Sequence, residues 1–218
     1  MNRLHEGYNF ALIADAGTPL ICDPGYLLVK KCREANVKIV ALPGACALIT
    51  ALSVSGLPTN EFYFLGFLPR SSKARCTKLT LLKNFTGTII AYESPHRLID
   101  SLTDIAKVFP PEHKMVCAKE LTKQHESVIT GTANEIIAWL KEDERRQKGE
   151  FVLLIPTDNV TSNEEDDTVI LEVKKVVRIL QEEMHLSSAA KLASKICNVD
   201  KNKLYNSMLA NKRHRFSS

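Results

Sequence analysis

The sequence predicts an α/β protein, and three observations support this prediction. Short apolar runs alternate with helical segments over residues 10–156, which is typical of strand–helix–strand units. Most of these runs end in loops containing glycine, proline or polar residues. Beyond residue 168 the strand pattern stops and helical segments follow. We therefore expect an α/β domain at 1–58, a second at 59–157, an acidic linker at 158–168 and a small helical domain at 169–218.

The first domain contains two predicted strand–loop–helix units. The apolar run 10–14 stops at Asp15-Ala16-Gly17-Thr18-Pro19, and a helix is predicted over 26–35. A second run, 37–42, breaks at Pro43-Gly44, and a helix over 45–54 follows. Both runs have the composition of buried parallel strands, so we expect a parallel sheet here.

The second domain and the tail are predicted by the same patterns. The strands are expected at 62–68, 88–92, 114–118, 127–130 and 149–155, and the helices after the basic loop 70–78, from 97 to 108, and at 134–140. Helical segments at 169–183, 187–197 and 201–212 suggest a small unit similar to a helix-turn-helix.

Composition excludes several classes of protein but does not identify one function. The 218 residues carry 29 basic and 25 acidic side chains, a net charge of +4 that permits an anionic partner without identifying it. The six cysteines lie at least ten residues apart, so no zinc ribbon is predicted, and the histidines show no metal-ligand spacing. The N-terminus has no apolar stretch of signal length, and no segment has the apolar length of a membrane span, so we expect a cytoplasmic protein with reduced thiols.

Two loops of small residues follow the first two predicted strands. One is Asp15-Ala16-Gly17-Thr18-Pro19 and the other is Pro43-Gly44-Ala45-Cys46-Ala47. Open α/β sheets bind ligands at this edge, where glycine lets the main chain approach closely and helix N-termini converge. Each loop alone is also compatible with an ordinary βα turn. Together they predict a cofactor cleft in which the backbones of Thr18 and Ala47 lie close to each other.

Polar side chains that could take part in chemistry follow two later strands. Glu93-Ser94-Pro95-His96-Arg97 combines an acid, a base and a guanidinium at one strand end, and Glu120 follows another strand. These residues could face one cleft. The alternative for the first motif is a salt-bridged helix start, because acidic residues are common at helix N-termini.

Two basic segments could contact phosphate. Arg70, Lys73, Arg75 and Lys78 have no acidic neighbour between Phe62 and Phe85, and residues 201–218 carry five positive charges and no negative one. Such segments bind nucleic acid through its backbone, with an affinity that falls with salt. The alternative is a solvated loop.

The order of these motifs resembles a known family. The motifs are Asp15-Ala16-Gly17-Thr18-Pro19, Asp23-Pro24-Gly25, Pro43-Gly44, Ser55-Gly56-Leu57-Pro58, Gly66-Phe67-Leu68-Pro69-Arg70, Glu93-Ser94-Pro95-His96-Arg97, Lys119-Glu120-Leu121-Thr122-Lys123 and Gly149-Glu150. Over residues 5–156 the chain resembles the bacterial ribosomal RNA ribose methyltransferases of the tetrapyrrole methylase superfamily. The tail, with Ala189-Ala190-Lys191-Leu192-Ala193 and Leu204-Tyr205, also looks like the small helical domain of that family.

The resemblance implies an activity, a cofactor and partners. It implies methylation of the ribose 2′-OH of a cytidine in 16S rRNA of the small ribosomal subunit, and S-adenosylmethionine bound between two α/β domains, in a homodimer. The cofactor residues carried over by position are Asp15, Gly17, Thr18, Ile21, Gly44, Ala47 and Leu48, with Tyr92 and Ala118 added by looser analogy. No catalytic base follows from the resemblance, and our candidates are Glu93, His96, Arg97 and Glu120.

The sequence departs from the family pattern at its beginning. Members of the family start with a strand, a loop containing Gly-Asn-Leu and an acidic Glu-Asp-Thr-Arg segment, whereas Met1 aligns just before their third or fourth strand. We therefore expect an incomplete first domain that lacks part of the sheet and of the cofactor cleft. Two other functions stay open: a related methylase acting on a tetrapyrrole or a protein, and a non-catalytic remnant that binds RNA or itself.

Overall fold

The computed structural model describes residues 1–157, 176–177, 179–181 and 184–196. The chain divides into two compact units, Met1–Val160 and Thr161–Ser218. The helices are α1 (Asn2–His5), α2 (Tyr26–Glu34), α3 (Ala47–Val54), α4 (Ser72–Leu82), α5 (Leu98–Val108), α6 (Ala133–Lys141) and α7 (Leu186–Ile196). The strands are β1 (Phe62–Phe67), β2 (Gly87–Glu93), β3 (Lys114–Lys119), β4 (Ser127–Thr132) and β5 (Phe151–Thr157).

The five strands form one mixed sheet in the order β1-β2-β5-β3-β4. β1 and β2 are parallel, whereas β2–β5, β5–β3 and β3–β4 are antiparallel pairs. All five strands lie where the sequence predicts them, to within two residues at each end. The α/β class is confirmed, and this sheet of the second predicted domain contains one parallel and three antiparallel pairs.

Helices cover both faces of this sheet. One face packs on α4, α5 and α6 through buried residues that include Leu79, Leu102 and Ile136. The other face packs on α3 through Leu48, Ala51 and Leu52, which meet Ile90, Val116 and Leu154 of the sheet. For this reason the apolar strands are buried on both faces of the sheet. Helix α3 lies against the sheet next to the carboxyl end of β2.

The predicted strands at 10–14 and 37–42 are wrong. Neither segment belongs to the sheet, and their apolar side chains are open to solvent, with Ile13 84% and Leu42 82% exposed. An apolar run indicates a segment that gains by burial, but a strand also needs a hydrogen-bonded neighbour. Among the described residues no strand pairs with either segment, so they remain irregular.

Two further predictions concern the basic loop and the tail. The predicted loop 70–78 is mostly helical, because Ser71 caps α4 by accepting a hydrogen bond from the N–H of Ala74 at 3.3 Å. The helix predicted at 187–197 is confirmed as α7, which packs Ala189, Ala190 and Ala193 against Val177. The linker 158–168, the helix 201–212 and the basic tail lie outside the described residues, as does most of the helix 169–183. Within the described part of the chain, no helix has the length and hydropathy needed to span a membrane.

Candidate functional site

The two loops of small residues contact each other. The hydroxyl of Thr18 donates a hydrogen bond to the carbonyl of Ala45 at 2.9 Å. Gly44 lies so close that a Cβ atom there would be 3.3 Å from the Thr18 hydroxyl. The expectation that the loops of Thr18 and Ala47 meet is therefore confirmed. They meet without the parallel strands that were expected to carry them.

The first loop, taken from here on as residues 15–22, has an unusual backbone. Leu20 and Cys22 adopt positive φ values of 73° and 61°, a region that bulky side chains rarely enter. Backbone of this kind costs on the order of 1–3 kcal/mol per residue and is concentrated at ligand-binding loops. Asp15 and Ile21 are exposed on this loop. The strain is a property of the loop that its predicted turn residues, Gly17 and Pro19, did not reveal.

Both loops reach the carboxyl ends of β1 and β2. The backbone N–H of Leu48, in the first turn of α3, donates a hydrogen bond to the Tyr92 hydroxyl at 3.1 Å. A Cβ atom at Gly66 would lie 3.5 Å from the sulfur of Cys22, so the first loop passes directly over the end of β1. Partial burial, and next the nearby Cys46, raise the pKa of Tyr92 to about 12, so its hydroxyl stays neutral at physiological pH.

Ala118 lies deeper than the resemblance implies. It is fully buried, belongs to the cluster beneath α3, and pairs through its backbone with Val128 and Val152. Tyr92 is partly exposed and Ala47 exposed, whereas Leu48 is buried. Of the expected cofactor residues, the two loops and Tyr92 lie together at the surface, and Ala118 supports them from below.

Glu93 faces the interior. Its side chain has no exposed surface, and its carboxylate oxygens accept hydrogen bonds from the Ser94 N–H at 2.8 Å, the Ser101 hydroxyl at 2.6 Å and Arg97 at 3.1 Å. Because three donors already bind the Glu93 carboxylate, its oxygens have little capacity left to accept a proton from a substrate. The geometry does not fit a general base, but it does fit a carboxylate that fixes the start of α5.

The other two residues of this motif point elsewhere. Arg97 donates to the carbonyl of Leu68 at 2.6 Å and to that of Pro69 at 3.3 Å, so it ties the end of β1 to the end of β2. Its side chain is 26% exposed, and its buried Nε has no partner among the described residues. His96 is exposed, and no hydrogen bond joins its side chain to the described residues. The expectation that acid, base and guanidinium face one cleft together is therefore not met.

Glu120 is held in a second strained loop. It accepts hydrogen bonds from the Glu150 N–H at 2.8 Å and from Lys123 at 3.1 Å, and these bonds lower the pKa of its carboxyl group. Its φ is 49°, and a Cβ at Gly149 would lie 2.5 Å from its side chain. Glu120 is thus an ionised carboxylate that closes this loop, with a proton affinity below the ordinary value.

Arg75 is separated from the other cations of the basic segment. It is 3% exposed and forms a salt bridge with Asp104 at 2.6 Å, while also donating to the carbonyls of Pro69 and Arg70 at 3.0 and 3.3 Å. Burial raises the pKa of Asp104, but hydrogen bonds from Lys107, Ser72 and Arg75 outweigh it and lower the pKa below 3.8. Arg75 therefore holds the loop before α4. The prediction that it faces solvent with the other basic residues is wrong.

The remaining cations form an open surface. Arg70 and Lys73 are exposed, and Lys78 lies over the ring of Tyr63, 5.4 Å from its centroid. A shallow depression of about 400 Å³ on α4 is lined by Ser71, Lys73, Ala74, Thr77, Lys78 and Leu81. We call Arg70, Lys73 and Lys78 the basic surface.

Sequence reasoning missed several residues of this region. Ser101 and Asp104 are ordinary polar residues of α5, and no pattern links them to Glu93 or Arg75. Cys22 and Cys46 flank Tyr92, although their spacing in the sequence suggests nothing. Phe67 belongs to an apolar run that predicts a buried strand, yet the residue is 52% exposed at the carboxyl end of β1.

Comparison with known proteins gives one assignment for most of the chain. The family model described as Tetrapyrrole (Corrin/Porphyrin) Methylases matches residues 1–137, and the model described as RsmI C-terminal HTH domain matches residues 167–212. A ribosomal RNA small subunit methyltransferase I of Escherichia coli is 48% identical over 203 residues, which are 93% of this chain and 70% of that protein. The proteins of the same name from Vibrio cholerae and Haemophilus influenzae are 46% and 42% identical, over 94% and 96% of this chain and 70% and 74% of their own lengths.

These relatives extend across both units of the chain, and the motifs that resemble the family include the loops that meet at Tyr92. The chain belongs to the ribosomal RNA small subunit methyltransferase I family of the tetrapyrrole methylases.

Proposed function

We propose that this protein transfers the methyl group of S-adenosylmethionine to the ribose 2′-OH of a cytidine in 16S rRNA of the small ribosomal subunit. The observation that carries the proposal is the meeting of two loops at one sheet edge, through the Thr18–Ala45 and Leu48–Tyr92 hydrogen bonds. This edge belongs to a chain whose relatives are named ribosomal RNA small subunit methyltransferase I.

The residues at this edge fit the proposed cofactor. The N-cap of α3, Cys46, makes no side-chain capping bond, so the helix N-terminus keeps backbone donors suited to a carboxylate. Gly17 and Gly44 let the main chain approach a ligand closely. Ile21 offers an exposed apolar side chain for a purine ring, and Tyr92 offers a neutral hydroxyl. Asp15 and Thr18 complete the set of residues that we propose for the cofactor.

Methyl transfer from a sulfonium needs little covalent participation by the protein. The ribose oxygen forms a bond to the methyl carbon, the carbon–sulfur bond breaks with its electron pair going to sulfur, and the hydroxyl proton must leave. The chain has to hold the two reactants in line and accept or relay that proton. His96 is the exposed candidate for the proton, whereas Glu93 and Arg97 position the loop ends that surround it. Glu120 stays in the proposal as a loop-closing carboxylate.

The basic surface is proposed to bind the phosphate backbone of the RNA. Arg70 and Lys73 follow the end of β1 that meets the cofactor loops, and Lys78 lies further along α4, over the ring of Tyr63. Arg75 contributes indirectly, because it fixes the carbonyl of Arg70. We also propose a cytoplasmic location, where ribosomal subunits assemble, and the homodimer that the family resemblance implies.

One observation favours a second candidate function. The exposed apolar segments at 10–14 and 37–42 have no strand partner within the described chain, as expected for a remnant that binds RNA without transferring methyl groups. Calorimetric titration with S-adenosylmethionine, followed by methyl incorporation into small subunits that lack the modification, separates the two. Cofactor binding with incorporation at a cytidine ribose supports the methyltransferase. RNA binding with no cofactor binding supports the remnant and contradicts the first proposal.

A further inference from the structure

We propose that Phe67 is the stacking platform for the nucleobase of the nucleotide to be methylated. This inference rests on the proposed function and names the substrate contact that sets specificity for an unpaired nucleotide. It concerns the carboxyl end of β1, where an exposed aromatic ring lies beside the loops proposed for the cofactor.

The position of the ring results from a bulge in β1. Phe64 pairs with Ile90 and Phe67 pairs with Tyr92, so three steps along β1 oppose two steps along β2. Residues three apart in a regular strand would point to opposite faces. Here the bulge, with Gly66 at a φ of 70°, returns Phe67 to the face of Phe64 and Tyr92. A side chain at position 66 would be strained by this φ and would also approach the sulfur of Cys22.

Neighbouring rings hold Phe67 in place. Its centroid is 5.9 Å from that of Tyr92 at an interplanar angle of 70°, and Tyr92 is in turn 5.0 Å from Phe64. The Tyr92 hydroxyl is itself fixed by the N–H of Leu48. Edge-to-face contacts of this kind are favourable. Phe67 is 52% exposed, at the strand end that the first loop and the first turn of α3 also approach.

The charges near the carboxyl end of β1 favour an anionic ligand such as a nucleotide over an apolar peptide. Arg97 is bound to the carbonyl of Leu68, the residue that follows Phe67, and keeps 26% of its side chain exposed. Arg70 is exposed three residues further along. Single-stranded nucleic acid is commonly bound by exposed aromatic side chains that stack its bases, together with cations in the same region that contact its phosphates.

Stacking would also place the ribose of the bound nucleotide where the reaction requires it. RNA-binding proteins recognise unpaired bases by splaying them out and stacking them on aromatic side chains. A base held on Phe67 would bring its own ribose beside Tyr92 and the first turn of α3, where the proposed methyl donor lies. Specificity for an unpaired nucleotide then follows from the platform, since a base inside a helix cannot reach it.

The test compares binding of a single-stranded oligocytidylate and of an RNA duplex by the full chain and four variants. Phe67→Leu removes the aromatic face and keeps an apolar side chain, whereas Phe67→Trp and Phe67→Tyr keep a face. Phe62→Leu is the matched control, because Phe62 is 40% exposed at the opposite end of the same strand. Phe67→Leu should weaken oligocytidylate binding at least about fivefold, as expected for one lost base stack, and leave duplex binding unchanged. The other three variants should stay within about twofold of the parent.

A second measurement separates the platform from the cofactor site and from the proposed function. Calorimetry with S-adenosylmethionine should give the same affinity for the parent and for Phe67→Leu. An equal loss of cofactor affinity would assign the ring to the cofactor and overturn the inference. If Phe67→Leu binds oligocytidylate as tightly as the parent does, the inference is also overturned. If the parent nevertheless methylates small subunits, the proposed function stays intact. A parent that binds neither RNA nor cofactor would refute both.

Discussion

The Tyr92 hydroxyl accepts a hydrogen bond from the N–H of Leu48 at 3.1 Å, and this contact joins two segments 44 residues apart. It satisfies one of the four N–H groups that the first turn of a helix leaves without a partner. Because Leu48 lies in α3 and Tyr92 near the end of β2, the bond sets the position of the second loop over the sheet edge.

Removing this hydroxyl tests its role. Tyr92→Phe should lower the free energy of unfolding by about 1 kcal/mol, the net value of one partly buried hydrogen bond, and weaken S-adenosylmethionine binding. Thermal melting and calorimetry measure the two effects. Tyr63→Phe is the control, because the Tyr63 hydroxyl makes no hydrogen bond to the described residues, and it should change neither. Unaltered cofactor affinity in Tyr92→Phe would show that the bond is only structural.

The raised pKa of Tyr92 predicts a pH dependence. The pKa of about 12 in the folded state exceeds the ordinary value of 10.0, so the neutral hydroxyl is favoured by folding. That contribution is complete below pH 10 and is lost as the pH rises through about 12. Between these values the parent should lose more stability than Tyr92→Phe in denaturant titrations. Parallel curves for the two proteins would contradict the burial of this group.

The buried salt bridge of Arg75 and Asp104 predicts a large structural effect. Asp104→Asn leaves Arg75 without its counter-charge, and we expect a loss of about 3 kcal/mol at pH 7. Asp100→Asn, at an exposed position of the same helix, should cost much less. The folded-state pKa of Asp104 is lowered, so its contribution is present above 3.8 and disappears as the pH falls through the folded-state value. The difference between parent and Asp104→Asn should therefore shrink in acid; a constant difference would argue against the ion pair.

The loop contact, Tyr92 and Arg75 show how far the sequence can predict the site. The loops of Thr18 and Ala47 are predicted to meet because both follow expected parallel strands, and they do meet although those strands do not form. Tyr92 came from resemblance alone. Arg75 was assigned to an exposed surface, because its sequence neighbours are basic, and its partner on α5 lies 29 residues away. Long-range partners of buried charges have no local signal.

The same limit explains the error in the first domain. The strands β1 to β5 were predicted correctly because each apolar run has a neighbouring strand to pair with. The runs at 10–14 and 37–42 have the same composition, yet no described strand lies beside them. Composition predicts the need for burial, whereas strand formation depends on a partner that the pattern of one segment does not contain.

The basic surface predicts a salt-dependent effect. Lys73→Ala should weaken binding to RNA of any sequence about equally and reduce the slope of log affinity against log salt by roughly one unit. Filter binding at several salt concentrations measures both. Lys141→Ala is the control, since Lys141 is exposed at the end of α6 and outside this surface. If Lys73→Ala leaves the slope of the parent unchanged, Lys73 makes no phosphate contact.

The last prediction separates the roles of Glu93 and His96. Glu93→Gln keeps the size of the side chain but weakens its bonds to Arg97 and Ser101, so we expect lower stability and a lower rate of methyl transfer with an unchanged pH profile. His96→Gln removes an exposed imidazole that no described residue binds, so stability should stay within about 0.5 kcal/mol of the parent, as is usual for surface substitutions. If His96 accepts the proton, the rate should fall about 100-fold and the acidic limb of the pH profile should disappear. A His96→Gln variant with full activity and the parent profile would leave solvent as the proton acceptor. A Glu93→Gln variant that alone loses the acidic limb would return the role of base to Glu93, despite its burial.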